Sequence, residues 1–524
     1  PEGVAAAEVL RVGDSAEGVQ ENKRGLLVIV VGGLTSAGLA LLAAMKVVAG
    51  SIERTFRVGS GGSMISASLS LALIGVGHLV GMTVGIAMIV GLVISFGVML
   101  PLRTAGQIPA GGDLGEIVSG IFSSDVRFVG AGAMAIAAIW TLAKIALPIV
   151  RGVKEALAAT RARHDGTEVP VSERDLSMRV VAWVTLASML PIGLLLWLFV
   201  RHTPIAHHAT GMVVVSILFV LLIGLAVAGV CGYMAGLIGA SNSPISGVGI
   251  LIVITAALLI KVVHGAQSSD QGDALIAYTL FTAAVVFGVA TISNDNLQDL
   301  KTGQLVSATP WKQQVALIIG VLFGSVVIPP VLQLLNNSFG FAGAPGATDN
   351  ALAAPQAALL SSLAKGVFGG DLDWGLLGLG VVIGAVVVII DELLGRASSN
   401  RLRLPPLAVG MGMYLPMGLT LIIPIGALAG LVYDRWAARA ADPESTKRLG
   451  TLAATGLIVG ESLFGVALAG IVAATGKDEP LAVVGAGFTT VSEIIGVLLF
   501  AGMTLGLYLW AKRLSGAAMS RTGA

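Results

Sequence analysis

The feature that most constrains this chain is a long series of apolar runs, each about as long as a bilayer is deep. The stretches 25–47, 126–150, 178–200, 211–238, 247–265, 274–293, 313–335, 374–394, 450–474 and 482–511 each supply about 20 mostly apolar residues. In lipid the backbone must satisfy its own hydrogen bonds, which a helix does and an open sheet does not. The charged fraction agrees. Only 12% of residues are charged and 55% are hydrophobic, with a mean hydropathy of +0.91, whereas soluble domains carry roughly 25% charged residues. The chain therefore reads as an all-α polytopic integral membrane protein. Its 70 glycines suit close helix packing in lipid. A net charge of +1 gives no basis for a nucleic-acid partner. Cys231, the sole cysteine, excludes an intrachain disulfide and any multi-cysteine metal site, and no metal site is expected.

Two further stretches, 64–102 and 405–433, are interrupted by Gly and Pro and read as re-entrant hairpins. Segment 151–177 carries Arg151, Lys154, Arg161, Arg163 and Arg174 and is expected in the cytoplasm. Segment 336–373, whose only basic residue is Lys365, is expected outside. Tracing from that anchor puts Lys301, Lys312, Arg396, Arg401 and Arg403 inside. A hairpin at 405–433 then returns Arg435, Arg439, Lys447, Arg448, Lys512 and Arg513 to the cytoplasm, where a single crossing would place them outside.

The chain also repeats itself. ALIGVGHLVGMTVG at 72–85 aligns with AVGMGMYLPMGLT at 408–420, pairing Gly75 with Gly410 and Gly77 with Gly412. RFVGAGA at Arg127 follows the first and RLGTLAA at Arg448 the second, and PEGVAAAEVLRVG at Pro1 matches PQAALLSSLAKGVFG at Pro355. The expected organisation is 1–210 as the tail of one repeat half and 211–524 as a complete second half. A counterpart of 211–354, roughly 120 to 145 residues, is expected ahead of Pro1. The trace puts Pro1 inside and Pro355 outside, so the halves are expected to be inverted, as in many secondary transporters. Arg54 and Arg57 then fall outside, against the charge rule.

Three groups of polar residues carry candidate chemistry. Asn294, Asp295, Asn296, Gln298 and Asp299 crowd the end of an apolar run, with Lys301 and Gln304 just after. Such groups cost several kcal/mol each if unpaired in hydrocarbon, so they line a polar cavity or lie at the water boundary. A solvated cytoplasmic loop is the plain alternative. NDNLQD also resembles an Asp-rich diphosphate motif of membrane prenyltransferases, which need a second such motif that the chain lacks. Asn242, Ser243 and Ser246 surround Pro244 between two apolar runs, where an interrupted helix could hold a substrate and a tight turn is the competing reading. Glu461 and Glu493 fall inside predicted spans, and Asp391, Glu392 and Lys144 lie near span ends. Intramembrane carboxylates suit proton carriage, with interhelical hydrogen bonding as the alternative. Tyr414 and His78 occupy nearly matching repeat positions. Packing is the first reading for both, and Tyr414 is kept as a substrate contact.

Several of these blocks together resemble the oligopeptide transporter family, particularly its prokaryotic members: PEGVAAAEVL at Pro1, GLIGASNSPISGVGI at Gly236, ATISNDNLQDLKTGQLVSATPWKQQ at Ala290, RLPPLAVGMGMYLPM at Arg403 and GLIVGESLFGVALA at Gly456. The resemblance covers essentially the whole chain. It implies a proton-coupled importer of small peptides or, in the yellow-stripe branch, of metal–chelate complexes. It also implies spans ahead of the Pro1 block. Ser243-Pro244-Ile245-Ser246-Gly247 stands where the eukaryotic peptide branch has an NPG-type motif, so that branch's substrates do not carry over.

The expectation is thus an inverted-repeat secondary transporter of the cell (inner) membrane, working by proton symport and not an enzyme. Substrate is assigned to Asn242, Ser243, Ser246, Asn294, Asp295, Asn296, Gln298, Asp299, Lys301, Gln304 and Tyr414, and proton coupling to Glu461, Glu493 and Asp391. No cofactor is expected beyond the proton gradient. The expected partners are a small peptide or metal chelate and the lipid bilayer, with a homodimer left open. A channel, a permease subunit and an intramembrane prenyltransferase-type enzyme are the alternatives.

Overall fold

The computed structural model describes residues 3, 7, 10, 16–108, 113–141, 143–144, 170–238, 245–265, 271–341, 355–369, 373–477 and 479–522. Helix α1 spans Ala16–Ala44. A hairpin follows, β1 Ser51–Val58 antiparallel to β2 Gly61–Ser68. Then come α2 Leu71–Val80, α3 Met82–Thr104 and α4 Leu114–Thr141. Next are α5 Met178–Val200, α6 Ala209–Ile238, α7 Ile245–His264, α8 Gly272–Leu305 and α9 Pro310–Phe339. The chain closes with α10 Pro355–Gly369, α11 Trp374–Ala397, α12 Pro406–Tyr414, α13 Met417–Ala437, α14 Pro443–Thr475 and α15 Thr489–Thr522. Among the described residues, 11 helices are long and apolar enough to cross a membrane. Every expected span meets a helix. The apolar part of α7, Val248–His264, is shorter than the others.

Three features differ from the sequence reading. The β-hairpin is absent from that reading, and its second strand takes up the start of the expected fold-back at 64–102. It forms because Gly59, at φ +60°, turns the chain between two extended runs. The two broken stretches have unequal arms. Short α2 is followed by the 23-residue α3, and short α12 by the 21-residue α13. At about 1.5 Å per residue the short arms reach roughly half the hydrocarbon depth, while each long arm can cross it. The third difference is at residue 293, where α8 does not stop. Most of the basic segment 151–177 lies outside the described residues.

The chain divides into two compact units. The first comprises Pro1–Asp14, Met134–Val327 and Pro355–Gly375. Its core packs α6, α7, α8 and α10 around Met212, Val253, Ala257, Tyr278, Val286 and Phe368. Tyr278 is fully buried and donates its hydroxyl to Ser216 Oγ at 3.0 Å, so its polar tip is satisfied inside the core.

The second unit comprises Ser15–Ala133, Ile328–Ala354 and Leu376–Ala524. Its helices cross at glycines so closely that no side chain fits. A Cβ at Gly77 would stand 2.1 Å from Ile423 O, and one at Gly412 2.3 Å from Met88 O. The contacts form a pattern. Gly77 meets Gly426 of α13, and Gly412 meets Gly91 of α3. One constant shift along the chain exchanges these two pairs, the same shift that aligns Gly75 with Gly410. The crossing of α1 with α14, where Gly32 meets Gly456, is matched by that of α11 with α4, where Gly380 meets Gly132. The segments α1–α4 and α11–α14 are therefore interlocked, each short arm lying on the other segment's long arm.

The breaks are also built differently. Gly81 has φ +85°, a conformation that side chains disfavour, so the chain turns there without strain. The second break is made by extended Leu415 and by Pro416, whose missing N–H interrupts the helix ladder.

Candidate functional site

The polar run is helical throughout. α8 continues through Asn294–Gln304 because the run holds no proline and its amides find partners on neighbouring chain. Ser293 Oγ donates to Ala228 O at 2.6 Å and Gln298 Nε2 donates to Ala235 O at 2.6 Å. α6 comes this near because Gly232 lacks a side chain, and a Cβ there would stand 2.6 Å from Ser293 Oγ. Gln298 Oε1 also accepts from Gly3 N at 2.8 Å, and Thr302 Oγ1 donates to Gly3 O at 3.0 Å.

Helical spacing sorts the run into two faces. Asn294, Gln298 and Thr302 recur every four residues on the packed face. Asp295, Asp299, Lys301 and Gln304 are on the more open side, and Asn296 is half-buried. Lys301 Nζ donates to Gln304 Oε1 at 2.9 Å, and Gln313 of α9 donates to Asp299 O at 2.7 Å. The buried amide oxygens of Asn294 and of Gln313 are exceptions to this satisfaction, and Asn294 is the one on the packed face of the run. It is 5% exposed, and its Oδ1 has no hydrogen-bond partner among the described residues. A buried carbonyl without a donor costs about 1–3 kcal/mol, which marks it as a group waiting for one.

Asn242 and Ser243 lie outside the described residues, and Ser246 falls in the first turn of α7 with its side chain not described. Tyr414 belongs to the second unit, at the end of α12. It is buried, its hydroxyl accepts from Arg127 Nη2 at 2.7 Å, and the Arg127 guanidinium lies 4.8 Å above its ring.

The three carboxylates assigned to proton coupling differ in their partners. Asp391, 3% exposed, accepts from Arg403 Nε at 3.0 Å and Nη2 at 2.5 Å, and from Leu404 N at 2.8 Å. Glu493 is in the first turns of α15, since that helix starts at Thr489, and not deep in a span beginning at 482. It is bound by both Arg54 Nη atoms from β1, which answers the uncompensated positive charge of the sequence trace. That hydrogen bond, with the carboxylate's charge, raises Arg54 further above the ordinary guanidinium range. Glu461 sits at the start of α2. It accepts from Ala72 N at 3.0 Å, Ser70 Oγ at 2.7 Å and Ser36 Oγ at 3.3 Å. Ser70 in turn caps α2 by accepting from Leu73 N at 3.2 Å. No basic side chain pairs with Glu461 among the described residues.

Sequence reasoning gives little weight to one constellation. His78, 7% exposed, meets Tyr508 and Tyr433 beside a cavity of about 490 Å³ lined by Ile425, Leu428, Val432, Tyr433, Tyr508 and Lys512 among others. Its partners come from chain positions more than 350 residues away, so no local pattern announces them.

Helices of membrane length, two of the apolar stretches being broken by Gly or Pro, define a multi-pass membrane protein that holds amides and carboxylates within its helices. The chain belongs to the oligopeptide transporter family: the profile described as "OPT oligopeptide transporter protein" matches residues 1–472. It is 38% identical to the Haemophilus influenzae protein named "Putative oligopeptide transporter" over 531 aligned positions, covering 98% of this chain and 83% of that protein. It is 30% identical over 202 positions to "Probable metal-nicotianamine transporter YSL10" of Oryza sativa, covering 37% of this chain and 28% of that protein. A similar Arabidopsis thaliana protein, "Probable metal-nicotianamine transporter YSL5", matches at 27% over 221 positions, 41% of this chain and 30% of that protein.

Proposed function

We propose that the protein imports small oligopeptides, or chelates built like them, across the cell membrane by proton symport and alternating access between inverted halves. The observation that carries the substrate side is the buried, unpartnered Asn294 Oδ1 on α8. A peptide backbone or an amine-bearing chelate offers the N–H donor this carbonyl lacks. Gln298 lies one turn further along the same face, and Asn242, Ser243 and Ser246 are assigned to the same substrate. Glu461 is the carboxylate suited to the driving side. Its acceptors hold the first turn of α2, where a negative charge favours the helix N-terminus, and a proton on it would weaken that hold. Asp391 and Glu493 are held by arginines and serve this role less well.

The metal-nicotianamine relatives favour a second substrate, a metal chelate, within the same mechanism. Reconstituted protein in proteoliposomes with an inside-alkaline gradient decides between them by accumulation of labelled trialanine or of nickel–nicotianamine. Asn294→Leu is expected to reduce uptake of whichever is carried by about ten-fold. Uptake indifferent to the gradient would end the symport reading. Ionic current without saturable counterflow would make the protein a channel.

A further inference from the structure

At the opposite end of α2 from Glu461 stands a second titratable group, His78, which the transport reading above does not use. Its side chain is 3% exposed and fills a slot shaped for it. A Cβ at Gly430 would stand 2.8 Å from His78 Cγ, and one at Gly450 3.0 Å from His78 Cε1. The imidazole stacks on Tyr508 with centroids 5.5 Å apart. Both ring nitrogens have partners: Nδ1 lies 2.6 Å from Tyr508 Oη, and Nε2 lies 3.8 Å from Asp434 Oδ1. The Asp434 side chain is 45% exposed. A buried imidazole is thus flanked by a half-exposed carboxylate on one side and a buried phenol on the other.

The elements packed on α2 present few other groups to this ring. α13 contributes Tyr433, Asp434 and Gly430, α14 contributes Gly450, and α15 contributes Tyr508. Lys512, one turn beyond Tyr508, is over the ring of Trp436 at 4.9 Å. The neutral ring carries one N–H, on Nδ1 toward Tyr508 Oη or on Nε2 toward Asp434, so it donates to only one of them. A proton from water on the other nitrogen makes the ring a cation that donates to Tyr508 Oη and pairs with Asp434. His78 also stands three residues before Gly81, where the helix breaks.

We propose that His78, paired with Asp434, is a second proton-binding site of the transport cycle, beside Glu461 at the other end of α2. The proton enters from the side where Asp434 is exposed, adds to the free ring nitrogen and later leaves the ring, with no other bond made or broken. Its arrival draws the end of α2 onto α13, and its departure frees that end to move about Gly81. This inference rests on the proton-coupled reading above.

Two measurements test it. In proteoliposomes, His78→Gln should lower gradient-driven accumulation of trialanine or nickel–nicotianamine about ten-fold or more, with counterflow still measurable. Asp434→Asn should lower it about three-fold. In nanodiscs without substrate, nitrogen NMR of the imidazole should show His78 as imidazolium at pH 6, identified by its loss in H78Q, and D434N should deplete that form about three-fold or more. Accumulation by H78Q at the wild-type level overturns the proposal, as does a neutral His78 at pH 6. If H78Q shows no counterflow because it does not fold, D434N decides, and wild-type accumulation and imidazolium content in that variant overturn it. If wild-type protein accumulates neither compound, the symport reading fails on its own, and the NMR still decides whether His78 binds the proton.

Discussion

The two broken helices of the second unit share a crossing and differ in chemistry. α2 lies on α13 through Gly77 and Gly426, and α12 lies on α3 through Gly412 and Gly91. Each short arm is entered past a carboxylate and ends on a polar aromatic contact. At the start of α2 the carboxylate is Glu461, held by hydroxyls and a backbone N–H. At the start of α12 it is Asp391, held by the guanidinium of Arg403. α2 ends on His78 against Asp434 and Tyr508, and α12 ends on Tyr414 under Arg127. Guanidinium keeps its charge at any working pH, whereas imidazole changes charge near neutrality. One arm is therefore fixed by permanent charge at both ends, and the other is held at both ends by groups a proton can alter. The crossing is common to both arms, and on the proposed cycle the chemistry makes α2 the moving part.

The comparison breaks most sharply at the crossings. Gly77→Leu and Gly412→Leu should each abolish folded, monodisperse protein in detergent, a cost of at least about 3 kcal/mol, because the obstructing atoms are backbone carbonyls that cannot yield. Equal loss in size-exclusion profiles is the expected outcome. A well-folded variant at either position would mean that the two crossings are not equivalent. Next in size is Arg403→Met, which strands Asp391 at 3% exposure without its cation. The expected loss is about 2–4 kcal/mol in thermal unfolding, and the double variant with Asp391→Leu should recover much of it. No recovery would mean that the pair does more than neutralise itself.

Much of this arrangement is legible in the amino-acid sequence. Length and apolar patterning locate the unbroken spans, since those signals are local to each helix, but they leave the long arms α3 and α13 inside stretches read as re-entrant hairpins. The alignment that pairs Gly77 with Gly412 picks out the residues on which the short arms cross. What the chain conceals is pairing at a distance. Glu461 reads as an isolated carboxylate because Ser70 and Ala72 lie about 390 positions away. Glu493 reads as deep because the apolar run begins before the helix does, and Arg54 reads as misplaced for want of the same partner. Asn294–Gln304 reads as lying past the end of its span, because polarity usually ends a membrane helix. Here the carbonyls of α6, bared beside Gly232, take up the donors that would otherwise need water.

Glu461→Gln sharpens the comparison at smaller cost. Glutamine keeps one acceptor oxygen, for Ser70 Oγ or for Ala72 N but not for both, and loses the charge at the α2 N-terminus, so about 1–2 kcal/mol of stability should go. If Glu461 answers the gradient, uptake in the variant becomes insensitive to it while exchange continues. The matching change, Asp391→Asn, should instead act through stability and leave gradient dependence in whatever protein folds. The opposite result would transfer the moving part to α12.

The smallest effect isolates the hydroxyl from the carboxylate. Ser70→Ala removes the cap on Leu73 N and one of three donors to Glu461, with an expected loss of about 1 kcal/mol. α12 begins on Pro405 and Pro406 and has no side-chain cap to lose, because proline at the first turn leaves no N–H in need of one. Hydrogen exchange of backbone amides should therefore quicken at Leu73 in S70A, with no change at Ala408. The carboxylate would still hold Ala72 N in this variant, so uptake should keep its dependence on the gradient. Loss of that dependence in S70A would assign the control of α2 to its cap, and Glu461 would then act only by positioning Ser70.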